Sequence, residues 1–318
     1  MRILTGIQPS GRLHWGNYFG AMKSMFDLQA KGEDMFMFIA NFHAMTTVRD
    51  GAALREATRE VALDYLACGL DPAKTTVYRQ SDVPEVQELA WYLSCLTPMG
   101  LLERCHSYKD KMARGFEATH GLFAYPVLMA ADILIMNSDL VPVGKDQKQH
   151  LEVTRDLCQK FNNAFGEIFK LPDAYIPDSV ATIPGTDGQK MSKSYHNTIE
   201  LFDPSAKKKI MAIVTDSKTM EEPKEPEGNA IYELYKLFAT PEEVAEMAAE
   251  FRAGGYGYGS AKKALLAAYH RLFDPFAARR AELAKDPDAL EDILREGAKK
   301  ARAAAAVQME KVRAAVGL

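Results

Sequence analysis

The sequence predicts an α/β fold, a Rossmann-like doubly wound parallel sheet followed by a C-terminal all-helical domain, and three observations carry that prediction. Short apolar runs of strand type alternate with helical patterns through the first part of the chain. After about residue 200 the strand signals fade, and the rest to Leu318 reads as helix punctuated by Gly and Pro. At 318 residues the chain has room for about two domains with a sizeable core. The expected division is 1–200 and 201–318, with a last helix able to pack back on the first domain.

The strand-like runs are Arg2 to Thr5, Met35 to Ala40, Thr75 to Arg79 and Asp139 to Val143. Between them, Ala52 to Leu66 and Pro84 to Leu96 carry helical periodicity, which makes a parallel sheet with crossover helices the economical reading. Ligands in such folds gather at the carboxyl ends of the strands. The segments that follow those ends, Gly6 to Asn17, Asn41 to Thr46 and Gly144 to His150, are dense in polar groups. Further on, Asp286, Pro287 and Asp288 form a helix-start signal, with a cap, a first-turn proline and an acid at the positive end of the dipole. The Ala-rich helix behind it should run nearly to Leu318. Gly255, Gly257 and Gly259 follow no strand and read as an interhelical turn rather than a dinucleotide fingerprint.

A composition of 47% hydrophobic and 26% charged residues is that of a soluble globular protein. The net charge of −4 excludes a simple cationic RNA coat but not a local basic face. Residues 216–250 hold 3 basic and 10 acidic side chains, whereas residues 260–318 hold 12 and 8. That contrast fits a cationic end for RNA phosphates, and it fits ordinary solvated helix faces as well. Cys68, Cys95, Cys105 and Cys158 show no CxxC spacing, so no zinc or iron–sulfur site is expected, and unpatterned thiols suit a reducing cytosol. No run reaches the roughly 18 apolar residues of a membrane span, so the expected location is cytoplasmic, with no membrane contact.

Two clusters could each hold part of a nucleoside triphosphate. In Gly6 to Tyr18, glycines permit close backbone approach, Gln8, His14 and Asn17 supply hydrogen bonds, and a helix starting near Gly16 offers its amide end. The competing reading is a polar turn with a structural histidine. In the second cluster, Gly185 to Gln189 precede Lys190, Met191, Ser192, Lys193 and Ser194. Two lysines three apart on a Gly-rich loop can close on triphosphate oxygens and stabilise charge moving onto a pyrophosphate leaving group. A loop of merely basic character is the alternative.

The element His14-x-Gly16-Asn17, with Lys190 to Ser194 downstream, resembles the class I aminoacyl-tRNA synthetases, specifically the tryptophanyl-tRNA synthetases of bacterial type. The strings Gly121 to Leu134 and Val141 to His150 also match. Tyr125, Met129 and Asp132 then make sense as one helix face, at i, i+4 and i+7, that suits an indole. A flat apolar ring needs apolar walls, and its single N–H needs one buried acceptor. Asp132 could otherwise cap or pair within the core.

The resemblance implies a role for each matching position. Asp132 would accept the indole N–H, Met129, Val141 and Val143 would line the ring, and Gln8, His43, Tyr125 and Gln147 would surround the ring and amino-acid end. His43 also reads as a satisfied core histidine. ATP would be held by Gln8, Pro9, Ser10, His14, Gly16 and Asn17, by Gly144, Lys145, Asp146 and Ile183, and by Lys190, Met191, Ser192, Lys193 and Ser194. Lys111, Lys190 and Lys193 would act on the outer phosphates, with Mg2+ held mainly by ATP itself rather than by protein ligands.

The implied activity is a tryptophan–tRNA ligase: ATP-dependent formation of tryptophanyl-AMP, then transfer to tRNA(Trp). Residues 1–200 would be catalytic and 201–318 would read the anticodon in a homodimer. A tyrosyl-tRNA synthetase and a non-catalytic RNA-binding or metabolite-sensing relative are the alternatives. Three features depart from the family pattern: Trp15 stands where a small aliphatic is usual, Lys145 where an acid is common, and Tyr195-His196-Asn197 where acidic pairs are frequent. No cysteine after Cys158 could bind the iron–sulfur cluster of some relatives.

Overall fold

Five strands form one wholly parallel sheet: β1 (Arg2–Ile7), β2 (Asp34–Ile39), β3 (Thr75–Arg79), β4 (Leu140–Pro142) and β5 (Asp173–Tyr175), in the spatial order β3-β2-β1-β4-β5. The computed structural model describes residues 1–113, 115, 117, 119–144, 148–175 and 183–318, without the side chains of His106, Ser107, Asp110 and Lys111. Four strands lie where the sequence places them. The fifth is a three-residue edge strand, joined to β4 through Leu140↔Asp173 and Pro142↔Tyr175.

Strand order reverses between β1 and β4, so a crevice opens outside their carboxyl ends, where α/β sheets bind ligands. Gln8 leaves β1 at that point, and Val143 and Gly144 leave β4. Gly6 faces Phe38 in register, and a Cβ there would stand 2.5 Å from the Phe38 ring. The glycine leaves the space that the Phe38 ring fills.

The crossover helices include Gly51–Cys68, Glu85–Leu96, His120–Ile135 and Lys148–Phe165. Asp50 caps the first by accepting from the Ala52 and Ala53 amides at 2.8 and 3.1 Å, and Thr119 caps the third through Leu122 N. Leu4, Phe36, Phe38, Leu89, Leu93, Val127, Ile133, Leu157 and Phe161 meet in one apolar core.

Helix Pro287–Val316 joins this core. Asp286 accepts from Ala289 N at 2.9 Å, with Pro287 in the first turn. Its buried face carries Leu290, Leu294, Ala298, Ala301, Ala305, Met309 and Val312. Gly297 lets the helix lie directly on β3, since a Cβ there would fall 1.7 Å from the Val77 carbonyl oxygen. Arg79–Glu291, Arg302–Glu85 and Arg313–Glu88 pairs line the seam. Exposed ion pairs are worth at most about 1 kcal/mol, whereas each buried Leu contributes about 2 kcal/mol, so the apolar stripe holds the helix.

Contacts divide the described residues into two compact units, one drawn from residues 1–11, 25–175 and 286–318, the other from residues 12–24 and 183–285. The boundary at residue 200 read from the sequence thus falls inside the second unit. That unit is mainly helical, with helices Ala206–Met211, Ala230–Tyr235, Pro241–Ala253 and Tyr258–Leu283. The Gly-rich turn expected near residue 255 separates the last two. At the unit's centre lies Trp15, fully buried, edge-on to Phe238 at 4.8 Å and tilted on Tyr269 at 5.3 Å, with Tyr18, Phe19 and Phe273 around them. In its acidic stretch, Glu227 pairs with Arg252 and Glu243 with Arg271. Among the described residues no helix is long and apolar enough to cross a membrane.

Candidate active site

In the sheet unit, the ends of β2 and β3 and the helix His120–Ile135 converge on one carboxylate. Asp132 is 3% exposed. Its Oδ2 lies 2.8 Å from His43 Nε2, on the short helix Asn41–Ala44 that follows β2. The Gln80 amide, in the turn after β3, donates from Nε2 to both Asp132 oxygens at 2.9 Å. Burial pushes the Asp132 carboxyl above its usual range, opposed by the hydrogen bonds from His43 and Gln80. The Tyr78 hydroxyl is raised well above the usual tyrosine range by its own burial and by the Asp132 charge.

Around this acceptor stand the residues that the helical spacing placed on one face. Tyr125 and Met129 are half-buried on the same helix as Asp132. The Tyr125 hydroxyl lies 2.6 Å from His150 Nε2, and its ring meets the His43 ring edge-on at 6.2 Å. Gln8 donates from Nε2 to the His43 carbonyl at 3.4 Å. Val141 and Val143 are buried at the end of β4. The sheet unit therefore joins Gln8, His43, Tyr125 and Asp132 in one linked group, with a soft thioether on the same helix. Such a group offers a flat apolar ring one fixed, buried acceptor.

The helical unit builds the other cluster from two sequence-distant motifs. His14 N donates to Asn17 Oδ1 at 3.0 Å, opening the helical turn Trp15–Asn17. A Cβ on Gly16 would come within 2.9 Å of the His14 ring, so the glycine makes room for that imidazole, and Met191 of the second motif packs beside it. Burial, aided by the Lys193 charge, pushes the His14 imidazole down to about 4. It is therefore neutral at pH 7, and its buried Nδ1 has no partner among the described residues. Burial likewise lowers the Lys193 ammonium, while Glu200 opposes the shift.

Met191 is buried and its amide donates to the Ile183 carbonyl at 2.8 Å, while Lys190 is exposed and Ser192 Oγ lies 2.8 Å from Ser194 Oγ. The loop is organised by Asn197, which is 2% exposed. Its amide donates to Asp187 Oδ1 at 2.7 Å and the Lys190 carbonyl at 3.0 Å, and it accepts from Ser192 N at 2.8 Å. Asn197 and Gln80 are not among the site residues that the sequence points to, and neither is His150, the partner of Tyr125.

Gln8, Pro9, Ser10 and Gly144 belong to the sheet unit, and His14, Gly16, Asn17, Ile183 and the Lys190 to Ser194 loop to the helical one. Lys145, Asp146, Gln147 and the Lys111 side chain lie outside the described residues. Among the described residues no group of three or more His, Cys, Asp or Glu side chains could hold a metal ion. Of the basic side chains of the last helix, Arg295 pairs with Glu291 and Asp292, Lys299 with Glu296, and Arg302 with Glu85. This favours the solvated-face reading of that helix.

Known proteins share both the sequence and the architecture. The chain is 56% identical over 320 aligned residues to the tryptophan–tRNA ligase of Rhodopirellula baltica, covering 100% of each chain. It is 54% identical to the enzyme of the same name from Fusobacterium nucleatum, covering 100% of this chain and 98% of that one. The crystal structure of tryptophanyl-tRNA synthetase from Campylobacter jejuni complexed with ADP and tryptophan superposes with a TM-score of 0.94 at 51% identity, covering 100% of both chains. Residues 1–274 match the family described as tRNA synthetases class I (W and Y), and the chain belongs to that family.

Proposed function

We propose that this chain is a tryptophan–tRNA ligase. The tryptophan carboxylate attacks the α-phosphorus of ATP, the bond to the β-phosphate oxygen breaks, and pyrophosphate leaves. The terminal ribose 2′-hydroxyl of tRNA(Trp) then takes the aminoacyl group and releases AMP. The observation that carries this reading is the buried Asp132 carboxylate, held by His43 and Gln80 on the helix that presents Tyr125 and Met129. An indole matches that chemistry, with an apolar ring and a single N–H donor. The names of the relatives from Rhodopirellula and Fusobacterium, and the tryptophan bound by the Campylobacter enzyme, support the same substrate.

Positioning and electrostatics supply the acceleration, since no covalent enzyme intermediate is needed. Lys190, Lys193 and Lys111 neutralise the outer phosphates. Gln8, Pro9, Ser10, His14, Gly16, Asn17, Gly144, Lys145, Asp146, Ile183, Met191, Ser192 and Ser194 hold the rest of ATP, and Val141, Val143 and Gln147 complete the amino-acid pocket. Mg2+ enters as the counter-ion of ATP, carried by its phosphate oxygens. The helical part of the chain reads the anticodon, and the reaction runs in the cytoplasm, where ATP and tRNA are.

The active form is a homodimer. Met45, Trp91 and Met99 are 57%, 68% and 63% exposed, and Met45 and Trp91 border a cavity of about 400 Å³ lined also by Ala90 and Leu128. Apolar exposure of this kind is what an association surface presents. Amino-acid-dependent exchange of labelled pyrophosphate into ATP tests the activity. Exchange with tryptophan alone is expected. Exchange with tyrosine would make the chain a tyrosyl enzyme, and no exchange from folded protein would favour a binding role.

A further inference from the structure

The acceptor at Asp132 is only as selective as its aim, and the residue that aims it is Gln80. Gln80 is 1% exposed, and both ends of its amide are committed. Oε1 accepts from the backbone amides of Phe42 at 3.0 Å and His43 at 3.4 Å. That fixes which end of the side chain faces the site, because only Nε2 remains for Asp132. Nε2 sits 2.9 Å from each carboxylate oxygen, straddling the group. The two segments involved are clamped beside it by a reciprocal pair, Asn41 Nδ2 to Ser81 Oγ at 2.7 Å and Ser81 N to Asn41 Oδ1 at 3.0 Å. A carboxylate with His43 as its one donor could swing about that bond; with Gln80 across both oxygens it cannot.

We propose that Gln80 is a positioning residue for substrate choice, which locks the Asp132 carboxylate in the orientation that accepts a ring N–H. The inference rests on the reading of Asp132 as the acceptor for the substrate ring. A site built around a committed acceptor rejects rings lacking the donor far better than shape alone does. Gln80 thus governs discrimination against an amino acid of the same outline without the N–H, such as the benzothienyl analogue of tryptophan, in which sulfur replaces that group.

The test is pyrophosphate exchange by the full chain carrying Gln80→Glu or Gln80→Met, with tryptophan, the benzothienyl analogue and ATP each varied. Glu keeps an oxygen for the Phe42 amide but sets a second carboxyl group against Asp132 in place of the neutral N–H donor, and Met keeps the volume alone. The KM for tryptophan is expected to rise about 10- to 100-fold, the size of effect of a lost hydrogen bond to a buried charged group. Preference for tryptophan over the analogue should shrink by a similar factor, while the KM for ATP stays within about twofold. Unchanged preference in either variant overturns the inference. So does a proportional loss with both amino acids together with a lowered thermal transition, because Gln80 would then support only the fold. Wild-type protein that does not exchange with tryptophan overturns the reading of the site itself, whereas active wild type with indifferent variants overturns Gln80 alone.

Discussion

His43 Nε2 and Asp132 Oδ2 lie 2.8 Å apart across 89 residues of sequence, joining the short helix after β2 to the fourth turn of helix His120–Ile135. That contact turns a core histidine and a helix carboxylate into one polar device at the carboxyl edge of the sheet. A buried carboxylate without donors would cost several kcal/mol and would take up a proton. With His43 and Gln80 as donors it keeps acceptor capacity, since two carboxylate oxygens offer about four lone-pair sites.

Lys193 is expected to act on the nucleotide rather than the amino acid. Lys193→Ala should slow single-turnover adenylate formation by about 10²- to 10³-fold, the size of effect of removing one group that stabilises developing charge. The tryptophan Kd should stay within about twofold. An unchanged single-turnover rate would remove this loop from the chemistry.

His14 makes the stability of the fold sensitive to acid. Its imidazole titrates at about 4 in the folded chain against 6.5 in an unfolded one, so between those values the unfolded state binds more protons. Stability is therefore full above pH 6.5 and declines as pH falls toward 4, by about 3 kcal/mol over the whole window. Urea unfolding at pH 7 and pH 4.5 checks this with His14→Asn, whose side chain does not titrate. Equal pH sensitivity in the two proteins would show that His14 is not the cause.

Gly297→Ala should destabilise the protein although alanine is the better helix former. The new Cβ would fall 1.7 Å from the Val77 carbonyl oxygen, against rigid backbone. Overpacking of this kind costs about 1–3 kcal/mol, more than the roughly 1 kcal/mol gained in helix propensity. A lowered Tm is expected, and a raised one would mean that the helix stands off β3.

What the sequence disclosed follows from the range of each signal. β1 to β4 and the helices Gly51–Cys68 and Glu85–Leu96 were readable because apolar spacing is local. The face shared by Tyr125, Met129 and Asp132 was readable for the same reason. Strand β5 was not, because Asp173–Tyr175 is three residues long and becomes a strand only through β4. Gln80 carries no local pattern, and its importance exists only once residues 42 and 132 come within reach. Trp15 read as an oddity in a nucleotide motif, whereas its ring fills the aromatic centre of the helical unit and points to packing as the reason for its bulk. Asn197 stood out only as part of a departure from the usual loop, yet it ties Asp187, Lys190 and Ser192 together.

The central claim is that Asp132 receives the donor of the substrate ring, and Asp132→Asn in tryptophan-dependent pyrophosphate exchange tests it most directly. The amide keeps the shape but turns an N–H group toward donors that now face a carboxylate. A rise of at least about 100-fold in the KM for tryptophan is expected, with the KM for ATP little changed. Wild-type kinetics for tryptophan in a folded Asp132→Asn protein would contradict the account.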